Sequence, residues 1–510
     1  MERAAETGPG RVESFLLARE RKFIAVVLVL AALKVWFFSA AFPFFNNVDE
    51  QAHFDLIWKY SQGKWPVKDR AAKDPEATRF IVLYGSPEYN HRPERYAGGK
   101  FPPPLFTQPR ELRDSVLDRV KARGDNYEEY SPPLYYGVYG LWLALGRALG
   151  LTGAGLLYFV RFLNAPVLAL TVWLAWLIGR TFFPGEALIR LGLPLAVAFL
   201  PQDVFYSLNS DVLSPLTAGL AFYFLGRIYL QPEEGPVVYV LAGLSLAAAV
   251  LVKLSNLPIL AAPAGVLWLA FRRDGRAVSA AGSLERWGSL AAGLVLPLAA
   301  WMARNEMYVG GLTGADHKVA AWGWAYKPLS QILWHPIFTP SGLAYFLHNL
   351  LASFWRGEFV WHTQRLTLPA GDLFFTLSSL AFLALAGYFT IRKKEADGER
   401  AVSFLAGAVV LAAMLYLAML SMAFDFGQCL YPSRTKPFFV SGRLILCGLI
   451  PFFILYLMGL KRLAGLVSAR AGGLTIWLVL VWLIFLVELG LRLPVAGSAY
   501  NFFHAPLSGP

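Results

Sequence analysis

Eleven apolar runs, most of them close to the length a helix needs to cross a hydrocarbon layer, constrain this chain more than any other feature. They cover 23–45, 155–179, 188–207, 212–230, 237–253, 256–271, 287–307, 372–391, 402–424, 440–460 and 472–492. Inside lipid each backbone amide must be satisfied within the protein, so such runs fold as helices. A soluble domain could not hide them, because 56% of the 510 residues are hydrophobic and only 16% are charged, which would leave more apolar surface than water tolerates. The expected fold class is all-α, a polytopic membrane helix bundle of about 11 transmembrane helices. Soluble single-domain enzymes, disordered chains and disulfide frameworks are excluded. Cys447 lies inside an apolar run, so a bridge to Cys429, the other cysteine, has no workable geometry.

The net charge of +12 raises nucleic acid as a partner, yet the fourteen acids and fourteen bases between Asp49 and Ser131 cancel. Much of the excess sits in short clusters at the ends of apolar runs, which is the pattern that sets membrane topology. No basic stretch interleaved with aromatics stands on a soluble element, so nucleic acid is not a partner. Arg19, Arg21 and Lys22 before the first run make residues 1–22 a cytoplasmic tail. Ser39-Ala40-Ala41 offers a processing site for a signal peptide, but the run exceeds an ordinary signal core and reads as an uncleaved anchor.

The clusters Arg272/Arg273/Arg276, Arg392/Lys393/Lys394/Arg400 and Lys461/Arg462/Arg470 all face the cytoplasm if the stretch Pro133 to Leu151 does not cross. Its glycines, tyrosines and Arg147 suit a helix lying in the interface plane. The expected organisation is a transmembrane module over 23–460 with outer segments at about 44–153 and 308–370, then a final helix and short outer tail over 461–510. Prolines at Phe101-Pro102-Pro103-Pro104 and Ser131-Pro132-Pro133 predict ordered loops with short amphipathic helices in the large first outer loop. All seven histidines (His53, His91, His317, His335, His348, His362 and His504) fall on the expected outer side. A multi-pass cell-membrane protein with its chemistry on the outer face is the result.

Asn46-Asn47-Val48-Asp49-Glu50-Gln51-Ala52-His53 follows the first run directly. A helix starting here would be capped by Asn46 or Asn47 and would carry Asp49 and His53 on one face. A half-shielded carboxylate is a candidate general base, because partial desolvation raises its proton affinity. Glu50 stands beside it, and the alternative for both acids is a simple interaction with the helix N-terminus. Tyr130-Ser131-Pro132-Pro133-Leu134-Tyr135-Tyr136 forms a rigid lead into the interfacial stretch, with its tyrosines expected at headgroup level. Ionisable residues at the outer ends of runs include Arg161, Asp203, Asp211, Lys253, Arg304, Arg356, Arg434, Lys436 and Arg443, and Glu358 joins the pocket candidates. A charge in hydrocarbon costs about 2.5–3.5 kcal/mol even on lenient scales, so such groups face a cavity or each other. Cations outnumber acids here, which suits an anionic headgroup; guanidinium forks bind phosphate in a bidentate manner.

There is no phosphate-binding glycine loop, dinucleotide fingerprint, HExxH or CxxC pair. Any group transfer must therefore use a donor already activated and already in the membrane. Metal ligation through Asp49, Glu50 and a distant histidine has no ligand-spacing motif behind it, so no cofactor is assigned and a divalent cation stays open.

The carboxylate pair after the first run, the Pro-Pro-Leu-Tyr-Tyr lead, Tyr158-Phe159-Val160-Arg161-Phe162-Leu163-Asn164, Leu208-Asn209-Ser210-Asp211 and the late Gly442-Arg443 come in a telling order. This order resembles the GT-C superfamily of polytopic glycosyltransferases. More narrowly, it resembles a bacterial membrane-protein family of unknown function placed beside the protein O-mannosyltransferases and aminoarabinose transferases. The likeness runs from about Val48 to about Pro451. It implies a GT-C-like fold and a transferase that takes a sugar from a polyprenyl-phosphate carrier to an acceptor glycan, lipid or protein on the outer face. It further implies that Asp49, with Glu50 beside it, faces the acceptor hydroxyl, and that Arg443 lies near the lipid phosphate; Arg161, Lys253, Arg304 and Arg434, from the charges at run ends, are further phosphate-binding candidates. Where the narrower family tends to have a tyrosine after that arginine, this chain has Leu444. The competing readings are a transporter or flippase of lipid-linked sugars, which would favour discontinuous spans and symmetric halves that the sequence does not display, and a surface-polysaccharide ligase or polymerase.

Overall fold

The computed structural model describes residues 11–45, 49–68, 71–120, 124–274, 280–392, 397–429, 431–467 and 472–506. Its main helices are α1 (Glu20–Ala41), α2 (Glu50–Ser61), α3 (Pro133–Ala148), α4 (Gly153–Phe182), α5 (Ala187–Phe199), α6 (Ser210–Leu230), α7 (Pro236–Val252), α8 (Leu254–Arg272), α9 (Ala280–Tyr308), α10 (Pro340–Arg356), α11 (Pro369–Ile391), α12 (Asp397–Ala423), α13 (Gly442–Gly465) and α14 (Gly473–Gly497). Each of the eleven apolar runs forms one of them. Among the described residues eight helices (α1, α4, α6, α8 and α11 to α14) are long and apolar enough to cross a membrane, and α5 and α7 are shorter. The 29-residue α9 carries Glu285, Arg286, Arg304 and Glu306 towards its ends. Proline opens α3, α7, α10 and α11, where its missing N–H is of no consequence and its fixed φ suits the first turn. The all-α helix-bundle class therefore stands.

The centre of the bundle is α13, 89% of whose apolar window is buried, against 22% for α14 at the periphery. Val29 and Leu33 of α1, Leu377 of α11, and Trp482 and Leu486 of α14 are exposed apolar side chains on helices of this kind, as lipid contact requires. Two short antiparallel pairs join the connections. Ala325–Tyr326 pairs with Phe424–Asp425, and Val360–Trp361 pairs with Gln364–Arg365 through a turn with positive φ at both His362 and Thr363.

The run expected as a continuous span over 188–207 is helical only to Phe199. Pro201 has no N–H to continue the ladder, and the chain passes through buried, irregular residues to Asn209. Non-helical backbone at such depth persists only when protein groups satisfy it. Lys34 Nζ donates to Leu200 O (2.9 Å), Arg492 Nη2 to Pro201 O (2.7 Å), and Asn164 Nδ2 to Phe205 O (3.1 Å) and Ser207 O (2.8 Å), while Leu208 N donates to Glu50 Oε1 (2.9 Å). Glu488 holds both cations, at 3.1 Å from Lys34 Nζ and 2.9 Å from Arg492 Nη1.

Within the first long connection, α3 lies against α2, with Gly140 so close that a Cβ there would meet Tyr60 Cβ at 2.9 Å. Its 16 residues are too few to span, as expected, and Tyr135, Tyr136 and Tyr139 are fully buried in protein. The turns that follow α1 and α7 and that open α6 and α13 meet at one end of the bundle. Lys461 at the far end pairs with Glu186. Of the basic clusters, Arg276, Lys393, Lys394 and Arg470 lie outside the described residues.

Helices α7 and α9 approach through glycine. A Cβ on Gly243 would fall 2.1 Å from Leu290 O, and one on Gly293 2.7 Å from Val240 O. These obstacles are backbone and cannot rotate away. Gly243→Ala is expected to destabilise the fold by about 1–3 kcal/mol, read as an earlier thermal transition of the detergent-solubilised chain; an unchanged transition would show that the two helices can separate freely.

Candidate functional site

Asp49 occupies the N-cap position of α2 in the left-handed conformation (φ 71°), and its side chain caps nothing. The expected caps Asn46 and Asn47 lie outside the described residues. Left-handed backbone is uncommon away from glycine, and held strain of this kind gathers at functional positions. It turns the carboxylate away from the helix amides and into a polar cluster, where it is 21% exposed. There Asp49 Oδ2 meets Arg443 Nη2 at 2.8 Å, across 394 positions of sequence, and Oδ1 accepts from Tyr127 Oη at 2.7 Å. Burial pushes the carboxyl up, but Arg443 foremost, with His53 and Tyr127, holds it well below the ordinary range.

Arg443 opens α13 and is fixed from several sides. Its Nη1 lies 3.3 Å from Asp211 Oδ2, and its Nε lies 3.3 Å from Ser441 Oγ and 3.9 Å from Glu358 Oε2. Gly442 beside it packs so tightly on α10 that a Cβ would sit 2.0 Å from Phe354 N, and its own N–H donates to Ser353 Oγ at 2.9 Å. Lys253, just past α7, reaches the same Asp211 oxygen at 2.8 Å. Glu358 accepts from Ser441 Oγ and Tyr431 Oη, and its backbone N–H donates to Asp203 Oδ2 at 3.1 Å.

His53, one turn along α2, is fully buried, with Nδ1 2.8 Å from Tyr136 Oη and Nε2 without a partner among the described residues. Burial lowers its pKa to about 4, against the pull of Glu128 and Asp49. Glu128 Oε1 pairs with Lys318 at 2.5 Å, and Oε2 accepts from Ser131 Oγ at 2.5 Å and Tyr136 Oη at 3.4 Å. Burial alone would raise this acid; Lys318 and His53 bring it to about 2. One donor atom each from Asp49, His53 and Glu128 lie within 4.8 Å of one another, a set with metal-ligand chemistry.

The structure thus gathers Asp49, His53, Asp211, Lys253, Glu358 and Arg443 from the expected residues. Tyr135 lies behind them, its ring 5.9 Å from that of His53. Others go elsewhere, each for a physical reason. Glu50, expected beside Asp49 in catalysis, is fully buried with both oxygens on Arg161 Nη2 (2.7 and 2.8 Å) and accepts from Phe45 N and Leu208 N. Arg161, expected at a phosphate, spends its remaining donors on Ser39 O, Phe42 O and Pro43 O. Arg304 donates to Pro66 O in a separate aromatic cleft with Trp65 and Trp301. Arg434 is exposed and paired with Asp425, and Arg356 with Asp372 at 2.6 Å. The expected excess of cations is absent among the described residues of the cluster: Asp49, Glu128, Asp211 and Glu358 face Arg443, Lys253, Lys318 and Arg365.

Tyr127, Glu128 and Lys318 were not among the expected residues. The acids at 128 and 129 abut the Tyr-Ser-Pro-Pro lead, which was a usable signal; Lys318 carried none. Removing one partner of a buried ion pair leaves an uncompensated charge. Arg161→Met is accordingly expected to lower stability by about 3–5 kcal/mol, measured by thermal unfolding in detergent, whereas a loss under about 1 kcal/mol would mean that Glu50 finds another partner.

No curated protein sequence matches the chain. Among solved structures it is similar to ArnT from Cupriavidus metallidurans in the apo state, with 14% identity over 94% of this chain and 74% of that one and a TM-score of 0.43. The same protein bound to undecaprenyl phosphate gives 14% identity, the same coverage and a TM-score of 0.45. Residues 32–429 match the family described as "Predicted membrane protein (DUF2142)", and the chain belongs to that family.

Proposed function

We propose that the chain is a membrane glycosyltransferase that moves a sugar from a polyprenyl-phosphate carrier to an acceptor hydroxyl on the outer face of the cell membrane. The observation that carries this reading is the Asp49–Arg443 contact at 2.8 Å, which sets a carboxylate and a guanidinium side by side in a partly open cluster. In the resting arrangement each neutralises the other. A donor phosphate draws Arg443 and Lys253 to itself, and that frees Asp49 to act as a base. The acceptor oxygen then attacks the anomeric carbon, its proton passes to Asp49, and the bond from carbon to phosphate oxygen breaks with its electron pair leaving on the phosphate. Arg443 and Lys253 stabilise that charge in a site of low dielectric. The products are the glycosylated acceptor and polyprenyl phosphate.

Positive-inside topology supports the outer orientation, since Lys461 lies at the end of the bundle opposite Asp49. A carrier that moves the lipid-linked sugar unchanged is the other reading with an observation behind it, namely the irregular stretch from Leu200 to Asn209. The side chains that satisfy this stretch are fixed by ion pairs, which suits a static scaffold better than a moving gate.

Purified full-length protein incubated with a radiolabelled polyprenyl-phosphate monosaccharide and a crude acceptor fraction is expected to release polyprenyl phosphate. Asp49→Asn should slow this by about 10²–10⁴-fold without a change in thermal transition, and Arg443→Ala should raise the donor KM more than the acceptor KM. Absence of release by the wild type would remove the transferase reading, and near-normal turnover by Asp49→Asn would remove the base. For the orientation, Cys429 is half-buried in the connection before α13 whereas Cys447 is buried. A membrane-impermeant maleimide should label Cys429 in intact cells; labelling seen only after permeabilisation would place the site on the cytoplasmic side.

A further inference from the structure

The cluster holds a feature that base and phosphate chemistry leave unused. His53 is 1% exposed, and its Nε2 has no hydrogen-bonding partner among the described residues, although a buried polar atom left so is costly. A ring nitrogen of this histidine, an oxygen of Asp49 and an oxygen of Glu128 lie within 4.8 Å of one another. We propose that Asp49, His53 and Glu128 form a binding site for a divalent first-row cation, a role that deepens the transferase reading and rests on it only for the function of the ion.

The existing ion pairs engage one oxygen of each carboxylate. Arg443 takes Oδ2 of Asp49 and Lys318 takes Oε1 of Glu128. The other oxygens, Asp49 Oδ1 and Glu128 Oε2, are met among the described residues by the hydroxyls of Tyr127, Ser131 and Tyr136. A hydroxyl can rotate and turn its lone pair to an incoming ion, whereas an ammonium or guanidinium cannot. Two carboxylate oxygens and one imidazole nitrogen favour Mn²⁺ or Zn²⁺ over Mg²⁺, which prefers oxygen alone and keeps its water. Asp49 remains partly exposed on the open side, where water or substrate would complete the coordination.

Charge points the same way. The directly linked groups, Arg365 beside Glu358 included, balance four carboxylates against four cations. A phosphodiester donor would add a negative charge to this balanced set, and a cation beside it would offset that charge in a place where net charge is expensive. Within the transferase reading an ion held by Asp49, His53 and Glu128 would supply positive charge to help Arg443 stabilise the departing phosphate.

The test is binding, with no sugar donor present. Full-length protein stripped with chelator is titrated with Mn²⁺ and followed by the loss of the free-ion paramagnetic resonance signal, with Zn²⁺ as competitor. One ion per chain is expected. His53→Ala and the nearly isosteric Glu128→Gln should each weaken binding at least about tenfold, while Asp118→Asn, a substitution at an exposed acid of the same connection, should leave it unchanged. Failure of the folded wild type to hold Mn²⁺ or Zn²⁺ at millimolar concentration, or equal binding by both ligand variants, would overturn the site. A chain that binds the ion but releases no polyprenyl phosphate keeps the site and loses the transferase reading. One that releases it in excess chelator and binds no ion does the reverse.

Discussion

The buried pairing of Arg161 with Glu50 is the interaction on which the arrangement depends. One guanidinium gathers Ser39 O, Phe42 O and Pro43 O at the frayed end of α1, and the carboxylate it holds takes Phe45 N and Leu208 N. Two pieces of irregular backbone, the exit from the first helix and the broken run after α5, are thus tied to one ion pair. Neither would survive alone in an apolar interior. The ring of Phe44 lies 3.5 Å from the same guanidinium and closes it off from water. Because Glu50 is the first residue of α2, its fixation sets where Asp49 stands, and it leaves Asp49 as the member of the acidic pair that faces the cluster.

A second constraint acts from the other end of the chain. Gly442 admits no side chain against Phe354, and Ser353, Ser441 and Glu358 hold the residues around it. Arg443 therefore projects from a backbone that cannot slide. Asp211 adds a further tie, since its Oδ2 is shared by Arg443 and Lys253. Acids and bases drawn from the starts and ends of several helices are each positioned by neighbours that do not themselves face the open side. Such fixed dipoles and charges are effective in a low dielectric because they need not reorganise when charge moves.

Much of the fold was legible because the period and length of apolar runs report burial directly. Every run became a helix, and the exception within a run, the break after Phe199, follows from Pro201 and the polar residues behind it. Asp49 and Arg443 were legible as charges where apolar sequence stops. What sequence could not tell was which charges are spent on structure. Glu50 differs from Asp49 by one position and one methylene, yet its environment is set by Arg161, Phe45 and Leu208, none of them neighbours on the helix. Arg304 and Arg434 look like Arg443 in local composition but end beside Pro66 and Asp425. Lys34, Glu488 and Arg492 sat inside apolar runs, where an ionisable residue is itself a signal; their task emerged only with the broken backbone that they satisfy.

The loss of the expected cation excess has a physical reason. Counting ionisable residues at the ends of runs weighs all of them equally, but a cation near an interface can extend its long stem to water, whereas a short aspartate cannot. Arg434 does so, remaining exposed beside Asp425. Short acids such as Asp49 and Asp211 stay where the backbone leaves them and require cations to come to them. The cluster therefore holds more carboxylate than the local sequence suggests, and Arg443, Lys253, Lys318 and Arg365 are the cations with enough reach to be recruited. A site built in this way is nearly neutral at rest and has a guanidinium that an anion can compete for, which is the property expected of a pocket that must accept a charged lipid headgroup and then release it.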